Sequence, residues 1–259
     1  MPKIYYGCAS GSARKVLKFF NVENVMINYA TYNNQPWDGI KSLFIDSGGY
    51  SFFHRCGVYK DRIEDYLKYI DRVKPDFFAT RDVPCEPEIL KKWKLSVEAN
   101  QKVTIENHSQ ILKLIEKNYP HLKQKLVVVL QGWEVDQYLN MIDKLKETGL
   151  LTDYIGIGSI CRRGKNQVIR DIILQVRQAL PRHKIHAFGV KANILQYPEC
   201  RKALHSVDSL AYEFSQMYVG YPLSKLERMA LSFLTFKQKL ESLCQQPNTQ
   251  HSLSTFSCV

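Results

Sequence analysis

Nowhere in this chain do two cysteines stand in a C-x-x-C pair. The seven cysteines are Cys8, Cys56, Cys85, Cys161, Cys200, Cys244 and Cys258, scattered and odd in number. That spacing argues against a disulfide framework and a tight zinc site, and it suits reduced thiols. Long apolar runs are missing as well: none approaches the roughly 20 residues that span a bilayer. The start, Met1-Pro2-Lys3-Ile4-Tyr5-Tyr6, lacks a signal-peptide apolar region, so the expectation is a cytoplasmic protein with no membrane partner. Internal repeats and linker-like stretches are absent, which predicts one domain over residues 1–244. A polar tail at 245–259, rich in Ser, Thr and Gln, is expected to fray. Acidic residues are the scarcer charge. Against 36 Lys and Arg there are 25 Asp and Glu, a formal charge of +11 over 259 residues, which favours a polyanionic partner, nucleic acid above all.

What the chain does have is a repeated alternation. Short apolar runs lie near Ile4–Tyr6, Val25–Tyr29, Leu43–Ile45, Phe77–Ala79, Leu126–Leu130, Tyr154–Ile157, Ile185–Phe188 and Val207–Leu210. Amphipathic stretches separate most of them: Ala13–Phe20, Ile63–Val73, Glu86–Ala99, Ser109–Tyr119, Asp136–Thr148, Asn166–Ala179 and Asn193–Ala203. A last helix is expected from Ser224 to about Cys244. Eight strands alternating with helices predict parallel pairing and an α/β fold, a single (β/α)8 barrel of the TIM type. A doubly wound open sheet is the alternative.

Polar residues gather where those strands end. Asp46-Ser47-Gly48-Gly49-Tyr50 follows the third run, and Asp82 follows the fourth. Gln131-Gly132 end the fifth, Gly156 and Gly158 the sixth, Gly189 the seventh, and Asp208 belongs to the eighth. In a parallel barrel all carboxyl ends open on one face, where the active site is built. A carboxylate is costly to desolvate unless it is paired or used, and the glycines permit close approach of a flat ligand. Structural alternatives exist for each: Asp82 as N-cap of the stretch from Glu86, Gln131 satisfying loop backbone, Asp208 capping the next turn.

Taken in order, Asp46-Ser47-Gly48-Gly49-Tyr50, Asp82-Val83-Pro84-Cys85, Val129-Leu130-Gln131-Gly132, Tyr154-Ile155-Gly156-Ile157-Gly158, Phe188-Gly189-Val190-Lys191 and Val207-Asp208-Ser209 resemble the motifs of the tRNA-guanine transglycosylase superfamily. The match spans roughly residues 43–210 and is most like the DpdA-type branch that puts 7-deazaguanines into DNA. The resemblance implies base exchange through a covalent aspartyl-glycosyl intermediate, with no cofactor and a free 7-deazaguanine base as co-substrate. It implies Asp208 as nucleophile, Asp46 as general acid/base and Asp82 as reader of the guanine N–H edge. Gln131 and the Gly158 amide would hold the base's carbonyl oxygen, and Tyr50 would stack on the ring. Ser47, Gly48, Gly49, Gly132, Ser159 and Gly189 would complete the base site.

The chain departs from the tRNA enzymes in two places. Their C-x-C-x-x-C cluster and later His, which bind zinc, have no match after Asp208. Only Cys244 and Cys258 remain there, with His251 between, so no metal is expected. After the glycine loop, where enzymes taking an aminomethyl base carry an acidic residue, stands Ser159-Ile160-Cys161-Arg162-Arg163-Gly164-Lys165. A cationic loop repels an ammonium and attracts phosphate, which points to 7-cyano-7-deazaguanine and to backbone contacts from Arg162, Arg163 and Lys165. Arg55 and Lys60, with His54 and Arg62, are expected to track phosphates; Phe52 and Phe53 are candidates to wedge into the stack left by a flipped nucleotide, with buried packing the expected fate of at least one of them. DNA is favoured over tRNA as substrate, with a helicase-like partner to open a duplex. The alternatives are an RNA-directed transglycosylase, a simple N-glycosidase and a non-catalytic nucleic-acid-binding barrel.

Overall fold

The computed structural model describes residues 1–31, 37–214 and 218–245. Along the chain the elements are β1 (Lys3–Cys8), α1 (Gly11–Phe19), β2 (Asn24–Asn28), β3 (Ser42–Asp46), α2 (Gly49–Cys56), α3 (Ile63–Val73), β4 (Phe77–Ala79), α4 (Pro87–Trp93) and α5 (Val97–Asn118). There follow β5 (Leu126–Leu130), α6 (Val135–Glu147), β6 (Tyr154–Ile157), α7 (Asn166–Ala179), β7 (Lys184–Ala187), α8 (Pro198–Ala203), β8 (Ser206–Ser209) and α9 (Lys225–Gln245). The eight strands close in sequence order into a parallel barrel, β8 pairing back onto β1. This is the (β/α)8 architecture that the alternation predicts. Of the tail, only Gln245 falls within the described residues.

Successive side chains of a strand point to opposite faces, so one parity of each strand enters the barrel and the other meets the helices. The outward set (Val25, Ile27, Leu43, Ile45, Phe78, Val128, Ile155, Ile185 and Val207 among others) packs with the helices into one large apolar layer. The inward set forms a second cluster of Tyr5, Met26, Phe44, Ala79, Val127, Val129 and Tyr154, with Phe77 and Phe188 against it. Its rings meet edge to face, Tyr5 on Phe44 at 5.5 Å and Phe77 on Tyr154 at 5.0 Å between centroids, contacts worth about 1 kcal/mol each beyond the area they bury. This aromatic plug fills the barrel interior beneath the strand ends. Asp46 shares the parity of Phe44, Gln131 that of Val129, Gly158 that of Tyr154 and Asp208 that of Ser206, so the strand period alone turns all four inward.

Three local features differ from the expected pattern. A short 3-10 turn at Tyr29–Thr31 follows β2, and no α-helix joins β2 to β3 among the described residues. Instead α2 begins inside the glycine motif, since Gly48 takes a left-handed φ of 78° and turns the chain into a helix from Gly49. The helical stretch after Asp82 breaks at residues 94–96 rather than near 100–108: Lys94 ends α4 in the left-handed region and the Ser96 hydroxyl caps α5 by accepting from Ala99 N at 3.1 Å. The stretch 193–203 is likewise divided, with Pro198 opening α8.

Candidate active site

The carboxyl ends of the strands surround a cavity of about 140 Å3. Pockets for drug-sized ligands run to roughly 300–1,000 Å3, so this space suits a molecule the size of a single base. Of the residues expected at the site, Asp46, Gly49, Tyr50, Asp82, Gln131, Gly158, Ser159, Gly189 and Asp208 line it. Ser47, Gly48 and Gly132 stand behind the wall. The Ser47 hydroxyl donates to Asp82 Oδ1 at 2.6 Å. Gly48 lies so close to β2 that a Cβ would sit 2.8 Å from Ala30 N. A Cβ on Gly132 would meet the Tyr138 ring at 3.1 Å, so that glycine serves the packing of α6. Gly49 earns its place by proximity: a Cβ there would fall 2.6 Å from the Asp82 carbonyl oxygen.

Four carboxyl groups share this small space, Asp46, Asp82, Glu86 and Asp208, in a chain with a large positive excess. Asp46 is pushed up to about 8, first by burial and then by the neighbouring Asp82 and Asp208 carboxylates. Hydrogen bonds from Asn28 Nδ2 at 2.7 Å and the Gly48 amide oppose the shift without cancelling it. Asp82 is also raised by burial, opposed by the Ser47 hydroxyl and the Gln131 amide. It is no helix cap: Glu86 precedes α4, and Asp82 accepts from Ser47 and Gln131 instead. Asp208 caps no turn. Its Oδ1 accepts from the Gly189 amide at 2.7 Å and from His186 Nε2 at 3.1 Å.

His186 was not foreseen as part of the site, and it is the larger surprise. It is fully buried on β7, its Nδ1 2.5 Å from Ser206 Oγ, which in turn pairs with the Tyr154 hydroxyl. One tautomer satisfies the whole chain: Tyr154 donates to Ser206, Ser206 to Nδ1, and Nε2–H to Asp208. The signal available in the sequence was parity, because His186 occupies the inward position that pairs with Ser206 across β7–β8, one inward position before Asp208. Glu86, Met26, Pro84, Cys161 and Phe188 also line the cavity without having been singled out. Phe188 fits only because β6 has a glycine opposite it: a Cβ on Gly156 would lie 2.3 Å from the ring.

Several expected roles change. The Gly158 amide donates to Leu130 O at 2.9 Å within the barrel ladder, so it is not aimed at a ligand. Gly158 matters through its missing side chain, since a Cβ would stand 2.4 Å from Gln131 Nε2. Arg163 is buried, not a surface phosphate contact. Its guanidinium stacks on Trp133 at 4.0 Å and donates to the carbonyls of Ser159 and Trp133, bracing the loop after β6. Arg162, Lys165, Arg55 and Lys60 are exposed, as expected. Arg162 reaches over the Tyr50 ring at 4.8 Å and lies 4.0 Å from Glu88. Phe53 is buried with Val83 and Ile89, and Phe52 packs half-buried against Tyr59, so neither is presented as a wedge. His54 is exposed and stacks on Tyr50. Among the described residues no group of three or more His, Cys, Asp or Glu is arranged to hold a metal ion, and no helix is long and apolar enough to cross a membrane.

Comparison with curated proteins returns no match. A family model described as DpdA, DeoxyPurine in DNA protein A, matches residues 33–232, from just before β3 into α9. That stretch is well over half of the chain and holds all four carboxyls of the cavity together with His186. The chain belongs to the DpdA family.

Proposed function

We propose that this protein exchanges guanine in DNA for a 7-deazaguanine base by double displacement at C1′, with Asp208 as nucleophile and Asp46 as general acid/base. The observation that carries this reading is the contrast between two inward carboxyls on one cavity. Asp46 is held protonated at neutral pH by burial and by its acidic neighbours. Asp208 has one oxygen fixed by two N–H donors, which leaves the other to attack. Two titratable groups in opposed environments are the mark of an acid and nucleophile pair.

In the first displacement an Asp208 oxygen bonds to C1′ as the C1′–N9 bond breaks. The bond pair goes to N9 and the Asp46 proton neutralises the departing guanine. In the second, the incoming base gives its N9 proton to the Asp46 carboxylate. Its N9 pair then bonds C1′, and Asp208 leaves with the pair of the ester bond. Protons and electrons balance without any cofactor. Charge develops on the sugar in both steps, as in a retaining glycosidase. Asp82 faces the N–H edge of the base, Gln131 its carbonyl edge, and Tyr50 supplies a stacking surface. C1′ of a paired nucleotide cannot enter a cavity of this size, so the nucleotide is flipped or single-stranded. Arg162, Lys165, Arg55 and Lys60 follow the backbone. The cationic Arg162 favours a neutral 7-cyano substituent over an ammonium.

The test is nucleoside mass spectrometry. The protein is incubated with 7-cyano-7-deazaguanine and either DNA or bulk tRNA, with Asp208→Ala as control. A modified deoxynucleoside that the variant does not form is the expected result. A modified ribonucleoside would make this an RNA enzyme, and abasic sites formed without added base would make it an N-glycosidase.

A further inference from the structure

Arg81 is one of the largest fully buried side chains, 1% exposed, and it stands directly before Asp82 on the chain. A guanidinium is costly to desolvate unless it is paired and hydrogen-bonded. Its Nη2 donates to Asp61 Oδ1 at 2.7 Å and its Nη1 to the Asp61 carbonyl oxygen at 2.9 Å. The other Asp61 carboxyl oxygen accepts from the Tyr29 hydroxyl. Arg81 Nε is buried too and has no hydrogen-bond partner among the described residues, so an aromatic ring supplies the remaining stabilisation. The central guanidinium carbon lies 3.9 Å from the centroid of Tyr59, well within the range of a cation–π attraction. Tyr59 and Asp61 both belong to the segment 57–62 that joins α2 to α3, so one buried cation anchors this segment at two residues. Phe52 and Phe53 pack on the same Tyr59 ring, at 5.1 and 5.7 Å between centroids, and leave it little room to turn.

Held in this way, the Tyr59 hydroxyl reaches the base site from behind. It donates to the Asp82 carbonyl oxygen at 2.7 Å and lies 3.1 Å from Ser47 Oγ. A Cβ on Gly49 would stand 2.9 Å from the same hydroxyl oxygen. From the other side, Asn107 Nδ2 donates to the Arg81 carbonyl oxygen at 2.8 Å, and the Val83 amide donates to Thr104 Oγ1 at 2.9 Å. The backbone around Asp82 is therefore clamped between α5 and Tyr59, and the Tyr59 hydroxyl joins it to the motif after β3. None of these hydrogen bonds involves Asp46 or Asp208, and Tyr59 does not line the cavity. We propose that Tyr59 is a positioning residue for base recognition: braced on the buried Arg81, it fixes the Asp82 loop against the turn at Ser47–Gly49, so that the wall meeting the base is formed before the base arrives. This rests on the base-exchange reading and adds where affinity for the free base is set, outside the cavity and apart from the chemistry at C1′. A preformed wall raises affinity by sparing the cost of ordering it at binding.

The test is steady-state exchange of guanine in single-stranded DNA for 7-cyano-7-deazaguanine by wild type and Tyr59→Phe. The variant keeps the ring on Arg81 and removes only the hydroxyl. KM for the free base should rise about tenfold or more, while kcat at saturating base and DNA stays within about threefold, because the lost interaction does not touch the reacting carbon. A purely structural role would act differently: a less stable fold lowers the amount of active protein, and so kcat, and leaves KM alone. An unchanged KM, whatever becomes of kcat, overturns the assignment and leaves base exchange intact. Ser47→Ala closes a double-mutant cycle. Tyr59 and Ser47 both act through Asp82, so the double variant should lose less affinity than the two single losses combined, and independent losses refute that route. Tyr59→Leu also strips the ring from Arg81 and should add a fall in melting temperature that Tyr59→Phe does not show; equal melting temperatures refute the brace. If wild type exchanges no base, the base-exchange reading falls and this inference with it.

Discussion

Replacing Asp46 by Asn should make the protein more stable than wild type by a margin that is small near pH 4 and widens as pH rises toward 8. The reason is linkage. Asp46 is raised to about 8 in the folded protein from an ordinary value of 3.8. A carboxyl whose folded value lies above its unfolded one contributes stability that is present in full below about pH 3.8. That contribution is lost as pH rises through about 8, because the folded state holds a proton that the unfolded chain has released. With one extra proton bound in the folded state, each pH unit costs about 1.4 kcal/mol. Integrated with the titration of the site itself, the loss between pH 6 and pH 8 is about 2 kcal/mol. Asparagine is nearly isosteric with the protonated acid, and its carbonyl can still accept from Asn28 Nδ2, but it does not ionise. The gap in melting temperature between variant and wild type should therefore widen by about 4–8 °C from pH 6 to pH 8, at the usual 2–4 °C per kcal/mol for a chain of this size. Differential scanning fluorimetry from pH 5.5 to 9 reads this directly. Parallel curves for the two proteins would refute the reasoning, since they would mean that Asp46 ionises normally and cannot be the stored acid.

Two other perturbations separate roles that lie close together in space. His186→Ala removes one of the two donors that hold Asp208 and leaves Ser206 without its ring partner, an orphaning worth about 1–3 kcal/mol at a buried site. Single-turnover exchange should slow at least tenfold with base affinity unchanged, and His186→Gln should recover part of the rate; an unchanged rate would detach His186 from Asp208 function. Arg162→Ala should weaken single-stranded DNA binding and lower the slope of log affinity against log salt by about 1. Arg163→Ala should leave that slope alone and lower thermal stability, because this guanidinium stacks on Trp133 and braces the Ser159 and Trp133 carbonyls. A salt slope that falls equally in both would return Arg163 to the nucleic-acid surface.

By itself the sequence determined the barrel and the ring of polar residues at its mouth. Both follow from short-range rules: apolar runs of strand length, alternation with amphipathic stretches, and a period of two that turns Asp46, Gln131 and Asp208 inward once the strands are parallel. Local signals also placed β4, β5, β6, α3 and α7 at the bounds the structure shows. It was less able to place α2, whose helix starts from a left-handed glycine rather than from a side-chain cap, or the break at Lys94, where a lysine takes a conformation that composition does not announce. Tertiary structure alone decided which polar groups touch. His186 and Glu86 are separated in sequence from Asp208 by 22 residues and from Ser159 by 73, and only barrel closure brings each to its partner. The same closure hid Arg163 behind Trp133 while leaving its neighbour Arg162 in solvent, a difference of one position in a loop whose charge pattern reads alike for both. Charge states belong to this second class. Asp46 and Glu86 are ordinary acids as residues, and it is burial beside other carboxyls, a property of the packed site, that holds their protons near neutral pH.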